Sequence, residues 1–374
     1  MASRVLIVGG GIAGLSTAIA LRRAGVEVDV VEADRKWAVD DIGMIVHANF
    51  LRAMAALGVA ADAIALGMAF EGAALEDFDG NPIPQLSAAS NDGGIAYPAD
   101  LGISRRALHK LLASTVLASG ANVRLGVTFT EIIQSGPRAI VTLTDGSVAN
   151  YDLVVGADGV HSKVRAAVFG TQFKAQFTGE FRWRCMVRRT GGNDAPFVRI
   201  RNDGTRYGYM PVSARFGSVM LLDREPVELA GPPERLPQLA RARLAGCTGR
   251  LAELREQIVD SSAVVCRPIE ILFLPAPWYR GRVVLVGDAS HTMTAHMAQG
   301  AVQAVEDGVV LGDLFASHTP MPQLLEAFML RRYARCKLIA ETTLLMKQAD
   351  HLAVPVPHAS RVTERILAVA ASPF

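Results

Sequence analysis

The chain has 374 residues, half of them hydrophobic and a fifth charged, with a formal net charge of +2. This is the composition of a folded chain of about two domains rather than a disordered one, and Lys and Arg are too evenly mixed with Asp and Glu to form a nucleic-acid-binding block. No uncharged apolar run reaches the roughly 18 residues of a bilayer crossing, and Cys185, Cys247, Cys266 and Cys336 are too scattered for a metal site or disulfide framework.

In chain order, Met1 to Arg4 leads straight into an apolar run with no signal-peptide layout, and the reduced cysteines fit a cytoplasmic protein. Val5 to Val8 reads as a buried strand, Ile12 to Ala24 as a helix stopped at Gly25, and Val26 to Val31 as a second strand. That β-α-β unit calls for a parallel sheet. Asn49 to Leu57 and Arg105 to Leu117 read as helices, and Val123 to Thr128, Ala139 to Thr144 and Tyr151 to Val155 as strands. From about Thr178 to Glu270 short strands take over (Phe197 to Arg201, Arg206 to Val212, Ser218 to Leu222). A Pro-rich stretch from Glu225 to Pro237 then leads into a helical region, Leu239 to Ile258. Val283 to Val286 returns to the buried-strand pattern, and Gln299 to Phe315 and Leu324 to Met346 read as closing helices.

The expected fold is α/β: a Rossmann-like nucleotide-binding domain with a β-α-β unit, an inserted β-rich substrate domain and C-terminal helices. The first would take residues 1–75, 100–177 and 270–320, the second 76–99 and 178–269, and the helices 321–374.

Gly9, Gly11 and Gly14 supply G-x-G-x-x-G between the first strand and the first helix. Gly9 permits the tight turn, Gly11 lets the backbone approach a pyrophosphate, and Gly14 lets helix and strand pack closely. Helix N–H groups and dipole favour the phosphates, and Glu32, ending the second strand, can accept both ribose hydroxyls. NAD and FAD share this cradle. Two later stretches follow buried strands: Gly156-Ala-Asp-Gly159, where Asp158 also suits a helix cap, and Gly287-Asp288, which precedes a helix opening with Gln299-Gly300-Ala301.

With these three motifs in order, the chain resembles the para-hydroxybenzoate hydroxylase family of class A flavoprotein monooxygenases, from Val5 to about Phe315. The resemblance implies that Gly9, Gly11, Gly14 and Glu32 bind the ADP half of FAD, and that Arg105, opening an R-x-x-L helix, touches the cofactor. It also implies that Asp158 and Gly159 serve FAD and the nicotinamide donor, and that Asp288 holds the ribityl chain. Gln299, Gly300 and Ala301 then face the negative charge of the reduced flavin. Arg35 and Val127 join these contacts. The implied reaction uses NADH or NADPH and O2 to hydroxylate a small aromatic substrate through a flavin C4a-hydroperoxide, with no metal. The run His296 to Ala301 is similar to hydroxynicotinate monooxygenases and points to an acidic or N-heteroaromatic substrate.

Ala295 replaces the family's proline, Ala298 a glycine and Val302 an asparagine. Ala295 keeps open a non-oxygenating FAD-dependent oxidase or dehydrogenase on the same fold. His47 and His296 are the candidate bases, histidine being suited to neutral pH. Arg184, Tyr207, Tyr209 and His291 are candidates for substrate binding, each equally at home as a structural residue. The expected assembly is a monomer or homodimer, without nucleic acid or membrane.

Overall fold

Val5 to Val8 are buried, as both faces of an interior strand of a parallel sheet must be. In the computed structural model, which describes residues 3–82, 97–189, 191, 194–201, 203–224, 232–351, 369, 372 and 374, they belong to β1 (Arg4–Val8). Helix α1 (Ile12–Arg23) and β2 (Glu27–Glu32) complete the expected β-α-β unit. There follow β3 (Gly43–His47), α2 (Ala48–Ala56), β4 (Asp100–Ser104), α3 (Arg105–Ala118), β5 (Asn122–Leu125), β6 (Leu153–Gly156) and α4 (Lys163–Phe169). The next region supplies β7 (Gln176–Arg188), β8 (Phe197–Ile200), β9 (Arg206–Pro211), β10 (Phe216–Asp223), α5 (Leu236–Arg243), α6 (Arg250–Glu256) and β11 (Val264–Phe273). Then come β12 (Val283–Leu285), α7 (Gly300–Ala316) and α8 (Met321–His351).

The parallel sheet has the order β12, β6, β1, β2, β5, with Tyr279–Arg280 added antiparallel beside β12. A second sheet, in the order β11, β7, β10, β9, β8, is antiparallel and carries Ala74–Glu76 as a parallel edge. Two three-stranded sheets lie between and beside them: β3, β4 and Met68–Phe70, and the meander Phe129–Ser135, Arg138–Leu143, Val148–Tyr151. Each large sheet has its own core. That of the second sheet is built from Phe181, Trp183, Cys185, Val187, Tyr207 and Tyr209 together with Leu244, Leu251 and Leu254 from the helical layer.

The differences from the sequence reading have local causes. The strand expected over Tyr151 to Val155 is two, because the chain passes at Asp152 from the meander to the parallel sheet. There the Asp152 N–H donates to the Arg4 carbonyl, and its carboxylate accepts the Arg4 N–H. The helical region from Leu239 breaks into α5 and α6 at Gly246 and Gly249, both at positive φ. β3 and β4 lack an alternating polar face and escaped notice. The expected domain limits at 177/178 and 269/270 fall inside β7 and β11. Residues 225–231 of the Pro-rich stretch, 83–96 of the expected substrate domain and most of the segment after 351 lie outside the described residues.

All four cysteines are buried and free. Among the described residues no helix is long and apolar enough to cross a membrane.

Candidate active site

Three motifs far apart in sequence meet at the carboxyl ends of the parallel strands. A Cβ on Gly9 (φ 112°) would lie 2.4 Å from the Ala157 carbonyl oxygen, and one on Gly287 2.8 Å from the Ala13 Cβ. A Cβ on Gly14 would strike the Gly9 carbonyl at 1.9 Å, which is the close helix–strand approach the motif requires. Gly11 is different: among the described residues its Cβ would meet nothing within 4 Å. Open space beside the N-terminus of a 12-residue helix is what a pyrophosphate fills. Glu32 accepts the Gly10 and Asp34 N–H groups, each at 2.8 Å, and keeps its remaining lone pairs for ribose hydroxyls. The Arg35 side chain lies along Gly126, beside Val127, whose N–H donates to the Glu32 carbonyl at 3.0 Å. These residues fit a dinucleotide.

Asp158 takes the capping role that its position before a helix allows. Its carboxylate accepts the Ser162 hydroxyl at 2.5 Å and the Lys163 and Val164 N–H groups at 2.7 and 3.0 Å. It therefore caps α4 jointly with Ser162. What lies beside Gly9 is the Asp158 backbone, with its Cα 3.0 Å from the Cβ position, and Gly159 follows at φ 81°. Asp288 is accessible to solvent, although protein atoms close around its carboxyl group. Burial raises its carboxyl pKa, against the opposing charges of His291, Arg182 and Arg105. Arg105 follows Ser104, which caps α3.

On the far side of the cleft α7 begins at Gly300 with no acid in its first turn, so the N–H groups of Gly300 and Ala301 lie at the positive end of a 17-residue dipole. Gln299 is fixed by an Asn49 Nδ2 donor at 3.0 Å. Ala298 sits in the left-handed region, φ 51°, which explains the glycine that the resemblance places there.

Of the candidate substrate residues, three lie away from the cleft. Side chains alternate across a strand, and Trp183 pairs through Leu221 with Tyr207. Tyr207 and Tyr209 therefore face the second core, with Tyr209 bonded to Asp194 at 2.5 Å. Their expected role in substrate binding gives way to core packing. His291 is wholly buried behind the G-D turn, its Nε2 2.7 Å from Asp307. Burial works against its positive charge, but Cys336 and Asp307 outweigh it and raise its pKa well above the ordinary value. His291 is thus a structural member of a buried network. Asp307 also accepts the Gly287 N–H at 2.8 Å and Arg332 Nε at 2.7 Å. Arg332 reaches Glu306 at 2.6 Å, and Arg335 holds the same Glu306 at 2.8 Å. His291, Asp307 and Cys336 have metal-ligand chemistry, but the Arg332 guanidinium, 3.2 Å from Cys336 Sγ, already supplies the cation.

The other three lie outside the second core. A Cβ on Gly43 would meet Ser218 and Val212 of the second sheet, so by alternation Ile45 and His47 lie on that face of β3, while Val46 enters the first core. His47 Nδ1 lies 2.5 Å from Asp100, whose other oxygen accepts the Gly72 N–H at 2.9 Å. His296 follows the G-D turn with its Nε2 3.8 Å from Glu180 of β7. Arg184 shares a face with Arg182 and Glu180, opposite to Trp183. The sequence reading missed Asp100 and Arg182. Strand parity counted from Trp183 reveals Arg182, but nothing local links Asp100 to His47, 53 residues away.

The FAD binding domain family matches residues 2–343. The 2-heptyl-3-hydroxy-4(1H)-quinolone synthase of Pseudomonas aeruginosa is 31% identical over 348 residues, covering 91% of this chain and 88% of its own. The FAD-dependent urate hydroxylase of Klebsiella pneumoniae is 29% identical over 345 residues, covering 89% of this chain and 87% of its own. The crystal structure of Klebsiella pneumoniae HpxO complexed with FAD and uric acid superposes with a TM-score of 0.84 at 26% identity, over 98% of this chain and 92% of that one. The chain belongs to the FAD-dependent monooxygenases of the class A aromatic hydroxylase family.

Proposed function

We propose that the protein hydroxylates a small aromatic or N-heteroaromatic substrate, with O2 as oxidant and NADH or NADPH as electron donor. Bound FAD would supply the redox chemistry, linking oxidation of the nicotinamide to activation of dioxygen. Gly9, Gly11, Gly14, Glu32, Arg35 and Val127 would hold its ADP half. Arg105, Asp288 and the backbone at Gly159 and Gly287 would hold the middle, and Gln299, Gly300 and Ala301 would place positive N–H groups against the ring's negative edge.

The observation that carries the reading is the His47–Asp100 pair on the cleft-facing side of β3. A carboxylate that fixes one ring nitrogen leaves the other free to take a proton from a ring hydroxyl, making the ring a stronger nucleophile. His296, whose side chain is 2% exposed, is the second candidate base. The test is product analysis under 18O2 with NADH or NADPH across hydroxylated benzoates, pyridines and related phenols. The expected result is one labelled oxygen in a hydroxylated product. His47→Ala should cut turnover by about 10²-fold or more while retaining FAD. Reductant oxidation that yields only peroxide with every substrate would refute the proposal.

A further inference from the structure

We infer that Arg184, backed by Arg182, forms an anion subsite on the sheet that roofs the cleft, and that it holds a carboxylate or ring oxyanion of the substrate. This rests on the cleft being the site of an aromatic substrate, and it adds that substrate's charge. Both arginines occupy the face of β7 opposite to Trp183, Cys185 and Val187, which fill the second core. Along this face Glu180 reaches His296 beyond the G-D turn, and Met186 pairs with Ser218, which meets Gly43 of β3. Arg184 lies between those two landmarks.

Its neighbours on the sheet are Val265, Met220 and, one strand further, Gly208. None is an acid. Among the described residues the only hydrogen bond of its guanidinium is Nη1 to the Trp183 carbonyl, at 2.9 Å. Burial, and then the charge of Arg182, pull the Arg184 pKa down to about 9, so it stays charged at neutral pH without a partner. Arg182 has no hydrogen bond or ion pair among the described residues. The charges around it are those of Arg105 and Arg267 on one side and Asp288 and Asp40 on the other. With Arg182 and Arg184 themselves counted, four cations face two acids. Holding unmatched cations out of water is costly unless an anion joins them, and a guanidinium fork between Met220 and Val265 suits a planar acid with an apolar ring.

The experiment titrates the FAD-loaded full chain with nicotinate and with nicotinamide, which share a ring and differ in the carboxylate, following the visible flavin spectrum. Neither titration needs turnover, so it stands apart from the 18O2 test of hydroxylation. Nicotinate should bind about tenfold tighter or better. Arg184→Gln should erase that preference by weakening nicotinate alone, and Arg184→Lys should restore part of it. Equal binding of the two probes, no binding of nicotinate, or an equal loss of both in Arg184→Gln would overturn the assignment. If Arg184→Gln does not retain FAD, the wild-type comparison decides. A raised Kd for FAD in Arg182→Gln, with the nicotinate preference intact once the variant is saturated with FAD, would remove Arg182 from the subsite and give it to the cofactor.

Discussion

Replacing Arg332 by Met removes the centre of the buried network behind the G-D turn. Arg332 bonds Asp307 at 2.7 Å and Glu306 at 2.6 Å, and all three side chains are fully inaccessible. Breaking a buried ion pair from one side costs about 3–5 kcal/mol, because the partner charge is left behind. Here each acid keeps one cation, Asp307 with His291 and Glu306 with Arg335, so the low end, about 3 kcal/mol, applies. Over 374 residues the unfolding entropy is roughly 0.8 kcal/mol per degree, so the melting temperature should fall by about 4 °C. Asp307 also takes the Gly287 N–H, so slackening should reach the turn that carries Asp288 and raise the Kd for FAD. Calorimetry of the FAD-free protein, paired with a flavin titration, measures both effects. A melting temperature within about a degree of wild type would refute the energetic reasoning. A lower melting temperature with unchanged FAD affinity would refute the link to the turn.

The two motif glycines should separate binding from folding. Gly11→Ala meets open space and should weaken FAD binding while leaving the FAD-free melting temperature near wild type. Gly14→Ala drives into the Gly9 carbonyl and should lower both, as flavin content and melting curves would register; equal behaviour would contradict this. His291 has a raised folded-state pKa, so its charged form contributes stability in full below its unfolded value near 6.5, and loses it as pH rises through the folded value. The melting gap between wild type and His291→Gln should therefore be widest in mild acid and shrink in alkali, and a gap that grows with pH would contradict the assignment.

The cofactor cradle was legible because its chemistry is local: Gly9 to Gly14 and Gly287-Asp288 carry turn and helix-terminus signals within a few residues. Asp158 shows the limit of such signals, since one acid before a helix serves a ligand or a cap equally well and here caps. The outer sheet misled in a simple way. Tyr207 and Tyr209 are polar aromatics on a strand, and only its register against Trp183 tells which face they take. His291 sits in the right loop, but its direction is set by Asp307, Arg332 and Arg335, on helices whose packing no short window predicts.

β7 and β11 reach from the outer sheet to the G-D turn, where Leu272 and Phe273 bridge to Thr292 and His291. The two large sheets are thus joined by a hydrogen-bonded ribbon in place of a slack tether. Heat that strips the outer sheet must unzip that ribbon down to the turn beside Asp288. The two cores should share one cooperative transition, and an excised outer sheet would carry two severed strands as raw, unpaired ends.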